Sequence, residues 1–167
     1  MVPFPKQGFK YSTISQQSGT DARSGGQTVR FVSDALKTTQ ANCIDGTVLF
    51  ASFLYKIGLD VSIVLVPGHA YLAVDLDKEG NKVLALETTL MGETNLGATN
   101  EQASAYAAQQ GWSPDVQKSW NTFYVATSAG SKDYMTNALP NIQQGNDPRY
   151  MEIDIGEARR GKIRPIK

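Results

Sequence analysis

The chain has 167 residues, the length of one ordinary domain, which buries roughly 70% of the surface its unfolded form exposes. Sixteen basic and sixteen acidic residues give a formal net charge of zero, which argues against a phosphate-neutralising nucleic-acid surface or a polybasic membrane anchor. One cysteine and one histidine make neither an internal disulfide nor a Cys/His zinc site, and no apolar run approaches the roughly 18 residues of a membrane span.

Residues 1–26 are rich in Ser, Gly, Gln and Pro and read as an extended arm or loop, because Pro3, Pro5, Gly8, Gly19, Gly25 and Gly26 interrupt any regular period. Over 28–37, Val29, Val32 and Leu36 recur at helical spacing and predict a short helix. Asn42 is a helix cap with Asp45 three residues on, much as in a capping box, and Gly58 is a stop, so the spacing predicts a helix over 43–57. Ile44, Val48, Leu49, Phe50, Phe53, Leu54, Tyr55 and Ile57 cover nearly its whole circumference. Such a helix is expected at the centre of the domain, buried on most sides.

Three strands are predicted over 61–66, 70–76 and 82–87, all β-branched or aliphatic, and separated by Pro67-Gly68 and by 77–80. Links this short require antiparallel neighbours. Farther on, the composition predicts an Ala-rich surface helix over 101–110, a strand over 122–127, mostly loop over 128–147 and a last strand over 150–155. A basic tail or the start of a linker follows over 159–167, leaving 27–158 as the domain. Such a unit stands alone or as part of a larger protein.

Cys43 falls in the first turn of the central helix, where unpaired N–H groups and the helix dipole favour the thiolate over the thiol. His69 follows Pro67-Gly68 at the edge of the second strand, and its near-neutral pKa suits proton transfer. A hairpin centred near Lys78 sets Tyr71 opposite Ala85, Ala73 opposite Val83 and His69 opposite Glu87 on one face. Glu87 then fixes the tautomer of His69 and stabilises its cation, completing a nucleophile, base and orienter arrangement. In this reading Cys43 attacks an acyl carbon, and its own backbone N–H helps to hold the oxyanion. Gln27, Gln40 and Tyr71 are further candidates for oxyanion or substrate binding.

The stretch from Gln27 to Gly92 resembles the transglutaminase-like branch of the papain-like cysteine peptidase superfamily. The resemblance lies in Asn42-Cys43-Ile44-Asp45 opening an apolar helix, Ile57-Gly58-Leu59-Asp60, Val66-Pro67-Gly68-His69-Ala70 and Leu86-Glu87-Thr88-Thr89. It implies an α+β fold with the helix packed on an antiparallel sheet, and a catalytic triad that by position falls on Cys43, His69 and Glu87. The family's third member is usually Asp in an Asp-Pro-Thr-like setting, whereas here it is Glu87 before Thr88 and Thr89. The function expected is amide or peptide-bond chemistry on a protein or peptide through a Cys43 thioester, without metal or organic cofactor and without nucleic acid. Hydrolysis comes first, transfer to an amine second, and a catalytically silent binding domain is the alternative of a different class. Asp75, Asp77, Glu79 and Gly80 mimic the start of a calcium loop, but Leu86 stands where the bidentate Glu is needed, so a polar hairpin turn is expected there. Trp112, Trp120, Phe123 and Tyr124 read as core or groove wall.

Overall fold

A computed structural model describes residues 10–11, 29–91 and 101–161. A short strand β1 (Lys10–Tyr11) pairs in parallel with β2 (Gln40–Ala41), and between them in sequence lies helix α1 (Val32–Thr38). Helix α2 (Cys43–Lys56) follows, then strands β3 (Val61–Val66), β4 (His69–Asp75) and β5 (Val83–Leu86), and a single 3₁₀ turn at Thr88–Leu90. Two more helices, α3 (Glu101–Gln109) and α4 (Pro114–Asp133), run through a π-helical segment, Tyr134–Ala138, into α5 (Leu139–Gln144). Strand β6 (Met151–Asp154) and helix α6 (Ile155–Arg160) complete the order. The architecture is α+β.

The main sheet has the order β5-β4-β3-β6, antiparallel throughout. On one face Val61, Leu72, Val74 and Leu86 pack with Ala51 of α2 and Ala126 of α4. On the other, Val64, Tyr71, Ala73 and Ala85 pack with Tyr134 and Ala138 of the π-helical segment. Both faces are covered, which is why Ala70 through Val74 are all buried and the strand shows no in–out alternation. No helix among the described residues is long and apolar enough to cross a membrane.

The turn between β3 and β4 is Pro67-Gly68 with Gly68 at φ +75°, a left-handed conformation that glycine adopts without strain, and it pairs Val66 with His69. His69 is thereby the first residue of β4. The β4–β5 register sets Ala73 opposite Ala85 and Asp75 opposite Val83, two residues from the predicted pairing. A slip of two keeps every side chain on its face, so His69 and Glu87 remain on the same side as diagonal neighbours rather than opposite ones.

Several expectations are corrected. The first helix begins at Val32, with Phe31 as its cap, instead of at residue 28. Helix α2 is not buried on most sides along its whole length: Phe53 is 42% exposed and Ile57, just past its end, 73%, while Leu54 and Tyr55 of the same turns still pack against the core. The strand predicted over 122–127 and the loop over 128–147 are instead continuous helix from Pro114 to Gln144. Pro114 starts it at its first position, Ser119, Thr122 and Thr127 turn their hydroxyls back onto carbonyls one turn earlier, and Gly145 at φ +66° ends it. Pro140 has no N–H to give the carbonyl four residues back; the π turn just before it, closed by Leu139 N–H to the Tyr134 carbonyl, accommodates the ring within the helix. At the C-terminal end, Arg159 belongs to α6 and sets its guanidinium 5.3 Å over the Tyr55 ring, so the chain is packed through a point assigned above to a tail. The arm over 1–26 lies outside the described residues apart from β1, as do residues 162–167.

Candidate active site

Asn42 and Asp45 form a reciprocal cap at the start of α2: the Asn42 side chain accepts from the Asp45 N–H at 2.8 Å, and the Asn42 N–H donates to Asp45 Oδ2 at 3.3 Å. Asp45 is 2% exposed, and its other oxygen accepts the backbone N–H of Arg30 at 2.8 Å. The Arg30 guanidinium in turn donates to the Gln40 carbonyl at 3.3 Å. Cys43, between Asn42 and Asp45, is held by a buried carboxylate tied to the incoming chain on both sides.

Thr47, one turn along α2 and fully buried, donates to the Cys43 carbonyl at 2.7 Å and lies 3.2 Å from the carbonyl of Ala70. This hydroxyl fastens the first turn of α2 to the start of β4. His69 therefore stands beside Cys43 even though the two are 26 residues apart in the chain.

The imidazole Nε2 of His69 lies 2.5 Å from Glu87 Oε2. The Cys43 thiol is the second side chain that interacts with this imidazole. Interaction with His69 holds the thiol below its ordinary value against the opposing effect of burial, and the Ala70 and Ile44 backbone N–H groups add to the lowering. Cys43 first and Glu87 second push His69 up to about 10, against desolvation. Burial works to raise Glu87, but the hydrogen bonds from His69 and Thr89 prevail and hold it below the ordinary carboxylate value. The mutual interaction thus favours a thiolate and imidazolium pair, with the carboxylate of Glu87 behind it. His69 keeps 31% of its side-chain surface and Glu87 16%, while Cys43 as a residue is 7% exposed.

Glu87 itself is fixed from three directions. Its backbone N–H donates to the Ala126 carbonyl at 3.1 Å. Its Oε1 accepts both the Thr89 hydroxyl, at 2.6 Å, and the Thr89 N–H, at 3.0 Å. Gly130 allows the close approach of α4: a Cβ there would stand 2.7 Å from the Ala85 carbonyl oxygen and 2.8 Å from the Glu87 nitrogen.

The structure brings Cys43, His69 and Glu87 together. Tyr71 is corrected as a substrate contact: it is 1% exposed, beneath the π-helical segment, with its ring centroid 6.1 Å from that of His69. Its hydroxyl has no hydrogen-bond partner among the described residues, and burial, aided by nearby Asp133, holds the phenol far above its ordinary value. Gln40 is exposed on β2, three residues before Cys43, and Gln27 lies outside the described residues. Tyr106, Trp112, Trp120, Phe123 and Tyr124 form one aromatic cluster that joins α3 to α4, with successive centroids 5.3 to 6.5 Å apart. Among the described residues no group of three or more His, Cys, Asp or Glu is placed to hold a metal ion. The supporting residues Arg30, Thr47, Thr88, Thr89 and Gly130 escape sequence reasoning; the only signal was the run of two threonines after Glu87.

Comparison of the chain with protein-family models, with curated proteins and with solved structures finds no match.

Proposed function

We propose that the chain is a cysteine-nucleophile enzyme of the transglutaminase-like, papain-like kind that hydrolyses amide or peptide bonds in a protein or peptide. One observation carries this reading: the only histidine in the chain is shared between the only cysteine, at the start of a partly buried helix, and a carboxylate that touches its far nitrogen. The α+β layering, with that helix packed on an antiparallel sheet whose second strand in chain order opens with the histidine, supports the same reading.

The chemistry follows from the groups in place. The Cys43 thiolate attacks the carbonyl carbon, and the oxyanion that forms is met by the Cys43 N–H, which as the first residue of α2 has no carbonyl one turn back within the helix. The His69 imidazolium passes its proton to the leaving amine as the carbon–nitrogen bond breaks, leaving a thioester and a neutral imidazole. Water then attacks the thioester, His69 takes the water's proton, and the carboxylic acid departs with the thiolate restored. Glu87 stays ionised throughout and stabilises the cation each time it forms.

Incubating the protein with a peptide library, with and without an added primary amine, and reading product masses tests the proposal. Hydrolysis yields cleaved or deamidated peptides under both conditions. Amine adducts reassign the chain to acyl transfer, and unchanged peptides under both conditions reassign it to binding.

A further inference from the structure

We propose that Thr89 is a positioning residue for the His69–Glu87 pair, holding one oxygen of Glu87 so that the other faces the imidazole; this rests on the catalytic reading of the site. A glutamate has one more rotatable bond than an aspartate, and an orienting carboxylate is useful only when its plane is fixed. Glu87 caps the 3₁₀ turn at Thr88–Leu90 with φ −75° and ψ 95°, which carries the side chain back over its own turn. There Oε1 receives two donors from the same residue, the Thr89 hydroxyl at 2.6 Å and the Thr89 N–H at 3.0 Å. With Oε1 so engaged, Oε2 is the atom left for Nε2 of His69, at 2.5 Å.

The adjacent Thr88 is in no position to substitute. Its hydroxyl points the other way, 3.2 Å from that of Thr47 in the interior, and it is 6% exposed. The two threonines therefore divide the work: one closes the core, the other aims the carboxylate. The groups facing the imidazole are the Cys43 thiol from α2, the Glu87 carboxylate from the end of β5, and the Tyr71 ring from β4. Only the carboxylate depends on Thr89.

Because His69 is the only histidine, its ring protons report the site without assignment of others. The test is a proton NMR titration of the full chain as wild type, Thr89→Val, Thr89→Ser and Glu87→Gln. In the wild type the His69 midpoint stands well above 6.5; in Thr89→Val it falls by roughly one pH unit, and in Thr89→Ser it returns to the wild-type value. Glu87→Gln falls at least as far as Thr89→Val. Thr89→Ala, smaller and without the added methyl, serves if Thr89→Val does not fold, and the same fall is expected. A Thr89→Val or Thr89→Ala midpoint equal to wild type overturns the proposal, as does a Thr89→Ser midpoint as low as theirs. The readout needs no turnover, so an inactive wild type with the expected shifts overturns the enzymatic reading and leaves the role of Thr89 standing.

Discussion

The hydroxyls of Thr47 and Thr88 stand 3.2 Å apart in the interior, where the chain segments carrying Cys43, His69 and Glu87 meet. Thr47 reaches the carbonyls of Cys43 and Ala70, and Thr88 is bonded covalently to Glu87, so one pair of hydroxyls joins all three segments. Thr47→Val keeps the shape and removes the polar atom, taking away the hydroxyl that meets the buried Thr88 side chain and the Ala70 carbonyl. A loss of roughly 1–3 kcal/mol in folding stability is expected, together with slower alkylation of Cys43. Thr47→Ser should recover both, which urea unfolding and iodoacetamide labelling will show.

Cys43→Ala should abolish turnover while leaving the fold in place, since the thiol is needed for the covalent step and alanine is the best helix former. Glu87→Gln keeps a hydrogen-bonding group beside His69 without the charge and should lower the rate by roughly 10²-fold or more. Turnover and thermal unfolding measured on both variants decide the matter. A purely structural Cys43 would reverse the pattern, lowering the melting temperature with no change in rate.

The pH dependence has a definite sign. The thiol of Cys43 is held below its ordinary 9.0 and His69 is raised to about 10, so the ion pair fills as the thiol ionises and empties as His69 loses its proton. Alkylation of Cys43 is expected to reach half its plateau below pH 9.0, and turnover to decline as pH passes through about 10. The raised His69 also stabilises the fold fully below 6.5, a contribution lost as pH rises through about 10. The lowered Cys43 contributes above 9.0 and loses its share as pH falls through its folded value. A thiol that titrates at 9.0 in a labelling series would dismiss the ion pair.

Gly130→Ala should destabilise the protein by roughly 1–3 kcal/mol, because the new methyl meets backbone atoms of Ala85 and Glu87 rather than a side chain that can turn aside. Displacing α4 from β5 also disturbs the Ala126 bond to Glu87. Lower stability combined with a lowered His69 midpoint is the expected result. Lower stability with an unchanged midpoint would mean that α4 supports the fold alone.

The legible part of this sequence was the part built on local signals. Asn42 and Asp45 marked the start of α2 through a cap that depends only on neighbouring residues, and Pro67-Gly68 marked the turn that puts His69 first on β4. The face shared by His69 and Glu87 followed from alternation alone and survived a pairing error of two residues. Burial was harder to read: Phe53 and Ile57 are apolar yet exposed, since hydrophobicity alone does not say which side chains the fold covers. Helix α4 was misread because Thr122, Phe123, Tyr124 and Val125 favour strands locally, while its true cause is packing against β5 and the aromatic cluster around Trp120. Tyr71 was misplaced for the same reason, since the layer that buries it lies more than sixty residues away in sequence.

The bond from the Glu87 amide to the Ala126 carbonyl also bears on the order in which the site is assembled. Cys43, His69 and Glu87 lie within one stretch of the chain, α2 through the end of β5, whose short-range contacts form early, whereas Ala126 is made some forty residues later. A growing chain that ends before α4 has the β4–β5 pairing and the Thr89 bonds to the Glu87 carboxylate but lacks the partner of the Glu87 amide. The Glu87 backbone therefore gains its last anchor only when α4 closes on β5, after the segments that carry Cys43 and His69 have been made.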